Sequence, residues 1–339
     1  MKMKIIFNTF LLLLIAKIGL TQDMHFSQFD VNVVTLNPAY TGVMKGDYRF
    51  ANNYRNQWGT VSTPYTTFSV TGDVNILDKK VNKGLSDIGI GIGFFSDKIG
   101  TSNLSQNQFN FSLSAIQQVN FDTKLSLGLQ GAYNQQSISM SSLTWDTQFQ
   151  GHKFQEDLPS EELFGNSKSN YIDINAGVLL QKEGWDNTFT LGGAIYHVNS
   201  PKRGIFTNEK LAPKLVAHFS YDVKIGRSNS KKRFVPKALY TRQRKHQEIL
   251  VGGMLRQYLT EASRHTQFSN ESYFEVGGYY RVLDAFVIVA GLDLKRIHFA
   301  VSYDINVSKL RVASNSIGGF EVSLAYKGIF SDNRIKLKK

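Results

Sequence analysis

From Ile297 to Val307 the chain reads Ile297-His298-Phe299-Ala300-Val301-Ser302-Tyr303-Asp304-Ile305-Asn306-Val307, with a large apolar residue at every odd position and a small or polar one at every even position. A helix would scatter that pattern around its circumference. A strand, whose side chains alternate between faces, sorts it into one apolar and one polar face. The run is also long enough for a tilted strand to cross a bilayer, which takes roughly 9–11 residues. Phe320, Val322, Leu324 and Tyr326 repeat the design against Glu321, Ser323, Ala325 and Lys327.

The same alternation recurs along most of the chain. It predicts strands over 48–58, 64–75, 88–95, 107–117, 124–137, 171–181 and 188–198. Further strands are expected over 214–223, 234–241, 248–258, 273–282, 285–292, 297–307 and 319–327. The set numbers about fourteen, and an even number is what a barrel entered and left on one side requires. Within it, Phe109, Phe111 and Leu113 interleave with Gln108, Asn110, Ser112 and Ser114, and Leu125, Leu127 and Leu129 with Ser126, Gly128 and Gln130. The short link Asn120-Phe121-Asp122 makes those two runs an antiparallel hairpin.

Past the N-terminus no stretch approaches the length of a membrane-crossing helix, and the most apolar patch, 285–290, is a handful of residues. A membrane location therefore means a barrel. Tyr48, Tyr171, Tyr196, Phe219, Tyr258 and Tyr273 stand near run ends, where the aromatic girdles of such a barrel are expected. The opposite face is Gly, Ser, Asn, Gln and scattered charge, which suits a wet or filled lumen. A secreted β-sandwich array would also alternate, but strands near ten residues and the lack of a Pro- or Ser-rich linker fit the barrel better. The expected fold is all-β: a transmembrane antiparallel β-barrel of about fourteen strands with an N-terminal extension.

Four segments follow. Residues 1–21 read as a secretory signal peptide: Lys2 and Lys4 precede an apolar core from Ile5 to Ile15, and small residues Gly19 and Thr21 precede the cleavage point at Gln22. Residues 22–45 lack periodicity, carry the turn signal Asn37-Pro38, and are expected to lie against or inside the barrel as a plug. The barrel is expected over 46–328, and 329–339 form a basic tail. The long polar gap 139–170 is assigned to the cell surface, because barrels of this class keep short turns on the periplasmic side.

Chemistry-bearing motifs are sparse. With no cysteine there is no disulfide, catalytic thiol, thiolate metal site or lipid-anchored N-terminal cysteine. Gly89-Ile90-Gly91-Ile92-Gly93 has neither the spacing nor the following helix of a nucleotide loop, and reads as a strand whose glycines let another backbone approach. The seven histidines are dispersed without metal-ligand spacing. Nothing resembles a nucleophile elbow, so neither an enzyme nor a cofactor is expected. The net charge is +12, and loss of the three lysines of the signal would leave a mature chain near +9. Lys224 to Lys245 concentrates that charge, with nine Lys and Arg and no acid, and suits either lipid headgroups or an acidic periplasmic partner. No nucleic-acid recognition motif accompanies it.

The N-terminal run Gln22-Asp23, Phe26-Ser27-Gln28-Phe29 and Leu36-Asn37-Pro38-Ala39-Tyr40-Thr41-Gly42, followed by Asn53-Tyr54-Arg55-Asn56-Gln57-Trp58 and Tyr65-Thr66-Thr67-Phe68-Ser69, resembles the PorP/SprF family of type IX secretion outer-membrane proteins. Leu143-Thr144-Trp145-Asp146-Thr147-Gln148-Phe149, Gly193-Ala194-Ile195-Tyr196-His197-Val198-Asn199-Ser200-Pro201 and the two closing strands extend the resemblance over essentially the whole mature chain. It implies a non-enzymatic outer-membrane barrel that accompanies the type IX translocon and its periplasmic ring. Such barrels support export or surface anchoring of a large adhesin-like cargo with its own C-terminal signal domain, in a gliding or surface-decorating bacterium. Phe26, Gln28, Phe29, Asn37 and Pro38 are the residues expected to seat the N-terminal segment, and Trp145, Asp146 and Phe149 the expected outer-loop contacts. The rival reading is a general porin or solute channel with a polar bore.

Overall fold

The computed structural model describes residues 26–57, 64–76, 87–100, 104–139, 146–151, 153–154, 168–204, 209–227, 229–260, 271–308 and 316–330. Fourteen strands close into one antiparallel barrel in chain order. They are β1 Tyr48–Gln57, β2 Tyr65–Ile76, β3 Asp87–Ile99, β4 Leu104–Asn120, β5 Thr123–Ser137, β6 Lys168–Glu183 and β7 Asn187–Tyr196. The second half is β8 Lys214–Ile225, β9 Lys232–Gln243, β10 His246–Thr260, β11 Ser272–Arg281, β12 Ala285–Leu294, β13 Ile297–Asn306 and β14 Ile317–Gly328. Each strand pairs with its sequence neighbours, and β1 closes on β14 in the register Tyr48↔Gly328 to Gln57↔Gly319. Closure satisfies the backbone groups that an open sheet would leave at its edges, a condition the bilayer imposes. The signal-peptide reading and most of the tail lie outside the described residues.

Alternation in the sequence becomes the two faces of the wall. Along β13, Ile297, Phe299 and Tyr303 face outward while Ala300, Ser302, Asp304 and Asn306 are buried inside. On β4 the outward set is Phe109, Phe111 and Leu113, and the inward set is Asn110, Ser112 and Ser114. The outer surface is thus a continuous apolar band. Inside, the wall is of two kinds. From β1 to β6 it is largely polar, with Phe95, Ile116 and Leu179 as apolar exceptions, the last two packed on Ala39 and Val43, whereas Val216, Val235, Leu239, Leu250, Met254, Val287 and Val289 build an apolar cluster from β8 to β12. That explains the unbroken apolar run 285–290: Phe286 and Ile288 face outward, and Ala285, Val287 and Val289 are buried inward.

Aromatic placement differs from the girdle expected along the sequence. Tyr48 and Phe219 have outward parity, in ring contact with Tyr326 and Phe189 respectively. Tyr171, Tyr196, Tyr258 and Tyr273 share the parity of inward residues, and Tyr171 and Tyr273 are buried there. Position near a strand end says nothing about face. Only register relative to the buried set does.

The two rims are unlike. One, the terminal end, carries Asp47 before β1 and Ile329 after β14; the other, the loop end, carries the two longest connections, 138–167 and 197–213. Small two-stranded hairpins, Phe149–Gln150 with Lys153–Phe154 and Lys202–Arg203 with Glu209–Lys210, stand in those connections.

Candidate functional site: the bore and the segment inside it

The bore is crossed by the chain's own N-terminal segment. Residues preceding β1 enter at the terminal end, where the Asp47 amide donates to Gly328 O at 2.8 Å, and their far end, Phe26 to Gln28, lies in the loop-end half. The segment contains one helical turn, Val33–Leu36, and a 3-10 turn, Pro38–Tyr40. It lacks strand or helix periodicity because it is walled on every side, so no single face of it is exposed.

Its polar groups are matched one by one to the wall. The Ser27 and Gln28 amides donate to the two carboxylate oxygens of Glu321 at 2.8 and 3.1 Å. Ser27 Oγ sits among Asp304, Arg55 and Arg281, while Gln28 Nε2 donates to Ser302 Oγ at 3.1 Å and its Oε1 accepts from Ser323 at 2.6 Å. Arg55 pairs with Asp304 at 2.9 Å and Glu321 at 3.5 Å, and Arg281 with Asp304 at 3.1 Å and Glu248 at 3.2 Å. All of these carboxylates and guanidiniums are nearly or fully buried; two guanidiniums face three carboxylates, and the Ser27 and Gln28 amides add uncharged donors to Glu321. Asn32 bridges Ser69 and Thr71, and Asp30 makes an ion pair with Lys237.

Asn37 and Pro38 fix the middle of the segment. Proline holds Asn37 extended, with φ −160° and ψ 121°, and the Asn37 Oδ1 then accepts the Ala39 amide at 2.9 Å, capping the 3-10 turn. Asn37 Nδ2 donates to Val178 O at 3.0 Å and Gly193 O at 3.3 Å and lies 3.1 Å from His218 Nε2. This close approach needs bare wall. A side chain at Gly177 or Gly192 would collide with Asn37, one at Gly128 with Pro38 and Ala39, and one at Gly89 with the backbone of Thr41. The glycine-rich run on β3 therefore meets the segment through Gly89 and Gly91, whereas Gly93 faces Thr71 and Asn110 instead.

Apolar contacts complete the seating. Phe26 lies against Phe95 with ring centroids 6.4 Å apart, and Phe29 meets Tyr279 edge-on at 5.9 Å within the apolar cluster. Phe26, Gln28, Phe29, Asn37 and Pro38 are thus all buried inside the barrel. The expected loop contacts fall elsewhere. Trp145 lies outside the described residues, Asp146 opens a 3-10 turn Asp146–Gln148, and Phe149 is half exposed on the small hairpin at the loop end. The site residues read from the sequence left out Arg55, Arg281, Asp304, Glu321 and Asn32. Arg55, Asp304 and Glu321 fall within the motifs that carry the resemblance; Arg281 signals itself only as a charge at inward parity, and Asn32 has no periodic context at all.

The basic stretch divides between rim and lumen. Its first part forms the turn 226–231 at the terminal end, but Arg233 pairs with Asp222 on the neighbouring β8 and Lys237 with Asp30 of the N-terminal segment, far away in sequence. On either side of the segment the bore keeps a cavity. One of about 130 Å³ opens at the loop end, and one of about 140 Å³, lined by Arg49, Lys237, Arg256, Glu275, His298 and Lys327, lies toward the terminal end.

A closed barrel with an apolar outer band and a bore crossed by its own N-terminal segment defines an integral outer-membrane protein. Residues 18–326 match the family described as type IX secretion system membrane protein PorP/SprF. The chain belongs to that family. No curated protein matches the sequence. Among solved structures, it is similar to a Pseudomonas aeruginosa FadL homologue, at 9% identity and TM-score 0.47, over 86% of this chain and 92% of that one. It is likewise similar to the Ralstonia pickettii toluene transporter TbuX, at 9% identity and TM-score 0.48, over 90% and 95% of the two chains. Likeness of that degree extends no solute specificity to this chain.

Proposed function

We propose that the protein is a surface-anchoring barrel of the type IX system, supporting export or retention of one large adhesin-like cargo and, through it, gliding. The observation that carries this reading is the family match over residues 18–326, joined to a bore that the chain itself fills. In this reading residues 1–21 are a signal peptide removed on export, and the segment up to residue 45 is a plug. The loop end faces outward, because long connections belong on the cell surface in barrels of this class. Trp145, Asp146 and Phe149 then stand in the connection that meets the cargo. The terminal end, with its basic turn, faces the periplasmic ring and the translocon. No chemistry is performed: the wall supplies membrane residence, and the loops supply recognition.

Deletion of the gene followed by a census of surface-exposed proteins tests this. One large secreted protein should disappear from the surface while the others remain; an unchanged surface would overturn the reading. A porin would behave otherwise. The purified barrel in planar bilayers is expected to show no large, steady, salt-dependent openings, since the segment blocks the bore.

A further inference from the structure

One ion pair in the bore differs from the others in the chemistry of its cation. Arg49 answers Asp73, Arg55 and Arg281 answer Asp304, and Arg256 answers Glu275, all through guanidiniums. A guanidinium stays protonated in a protein, so it offers no free electron pair to a neighbouring carboxyl. Lys237 on β9 is a different case. It pairs with Asp30 of the N-terminal segment, and among the described residues it is the one lysine whose ion pair is buried; Lys45, Lys124 and Lys182 make theirs at the terminal rim. Neither Lys237 nor Asp30 has a second ion-pair partner among the described residues.

The surroundings separate the two groups' access to space. The Lys237 side chain is 4% exposed, whereas that of Asp30 is 34% exposed and borders the cavity of about 140 Å³ toward the terminal end. Val31, Met254, Tyr279 and Val289 share the lining of that cavity. The amine is thus withdrawn from water, while the carboxyl has free volume beside it into which a leaving group can pass. Transfer of one proton from the ammonium to the carboxylate along their shared hydrogen bond turns the pair into an amine and a carboxylic acid. Loss of both charges lowers the cost of burying the pair. Two groups held side by side then react as one molecule, and good placement is worth effective concentrations of roughly 10⁵–10⁸ M.

We propose that Lys237 and Asp30 are joined by an isopeptide bond that ties the N-terminal segment covalently to the barrel wall. Lys237 Nζ adds to Asp30 Cγ, and one Asp30 oxygen leaves. The two protons that the ammonium gives up depart with that oxygen as water, and the amide nitrogen keeps the third. Nothing is oxidised or reduced, and no co-reactant takes part. The bond closes a covalent ring from Asp30 to Lys237, so this end of the segment cannot leave the bore. It stands or falls independently of the cargo-anchoring role.

The test uses the full chain extracted in detergent from outer membranes. Its intact mass is expected to lie one water below that of its mature sequence. A tryptic digest should hold a branched peptide in which the fragment ending at Lys45 is joined to residues 234–242, uncut after Lys237. Lys237→Arg keeps the cation and cannot form the amide. Its mass should match its sequence, and after boiling in SDS it should migrate apart from the parent, whose covalent ring stays closed. A parent chain at full sequence mass would overturn the proposal, as would a lost water that persists in Lys237→Arg or maps to another pair of residues. Should that variant fail to reach the membrane, the parent digest decides by itself: the branched peptide upholds the bond, and residues 234–237 released as a free peptide in its place overturn it.

Discussion

Glycine on the inner wall is a recognition residue by omission. Gly128→Val places methyl groups where Pro38 and Ala39 run, so the segment must shift or leave, at a cost of about 1–3 kcal/mol. Limited proteolysis read by mass spectrometry should then show early cleavage between residues 26 and 45, with the strands still protected. Gly131, one strand position on from Gln130 and facing outward, has nothing near it. Gly131→Ala is expected to be neutral or to stabilise by up to about 1 kcal/mol. Charge inside the bore behaves in the opposite sense. Arg55→Met leaves Glu321, 1% exposed, without its guanidinium partner and weakens the neutralisation of Asp304. Removing one member of such a buried set costs about 3–5 kcal/mol, measurable as a lower urea midpoint in detergent.

Each strand presents hydrocarbon to the membrane on one face and the lumen on the other, so the two parities of one strand should answer a charge differently. Leu129, 64% exposed on the outer face of β5, is the sharper case. Leu129→Arg is expected to cost about 2–4 kcal/mol if its position is near the bilayer midplane, and to reduce folded yield on heat-modifiability gels. The strands themselves were legible without coordinates, and all fourteen stand where alternation put them, usually with bounds a few residues longer. What alternation did not disclose is the apolar inner wall of β8 to β12. There Phe29 and Leu36 press on inward Val216, Val235, Leu239, Leu250 and Val287, so apolar residues interrupt the polar half of the pattern, although Lys237, Arg256, Glu275 and Arg281 stand on the same inner face.

At the scale of the molecule, the apolar band and the filled bore divide the work. The band demands an amphiphile: chain refolded in its absence is expected to aggregate, and chain refolded into detergent to elute as a single species with strand-rich circular dichroism. Stable monodisperse protein in plain buffer would contradict the membrane assignment. The filled bore ties three regions far apart in sequence, the segment at Ser27 and Gln28, β1 at Arg55, and β13 and β14 at Asp304 and Glu321. Because these bonds join the segment to the seam where β1 meets β14, release of the segment should also loosen barrel closure.

Sequence alone determined the strands, their number, the outward face and the family, since each is written in local periodicity or in contiguous motifs. It also marked Phe26, Gln28, Phe29, Asn37 and Pro38, through a motif rather than through any visible contact. Tertiary structure decided which partners they meet, why the inner wall is bare at Gly128 and Gly177, and that Lys237 of the basic stretch answers Asp30 inside the bore. Those are pairings across tens to hundreds of residues. Periodicity records which way a side chain points, but only closure of the wall around the segment fixes what it finds there.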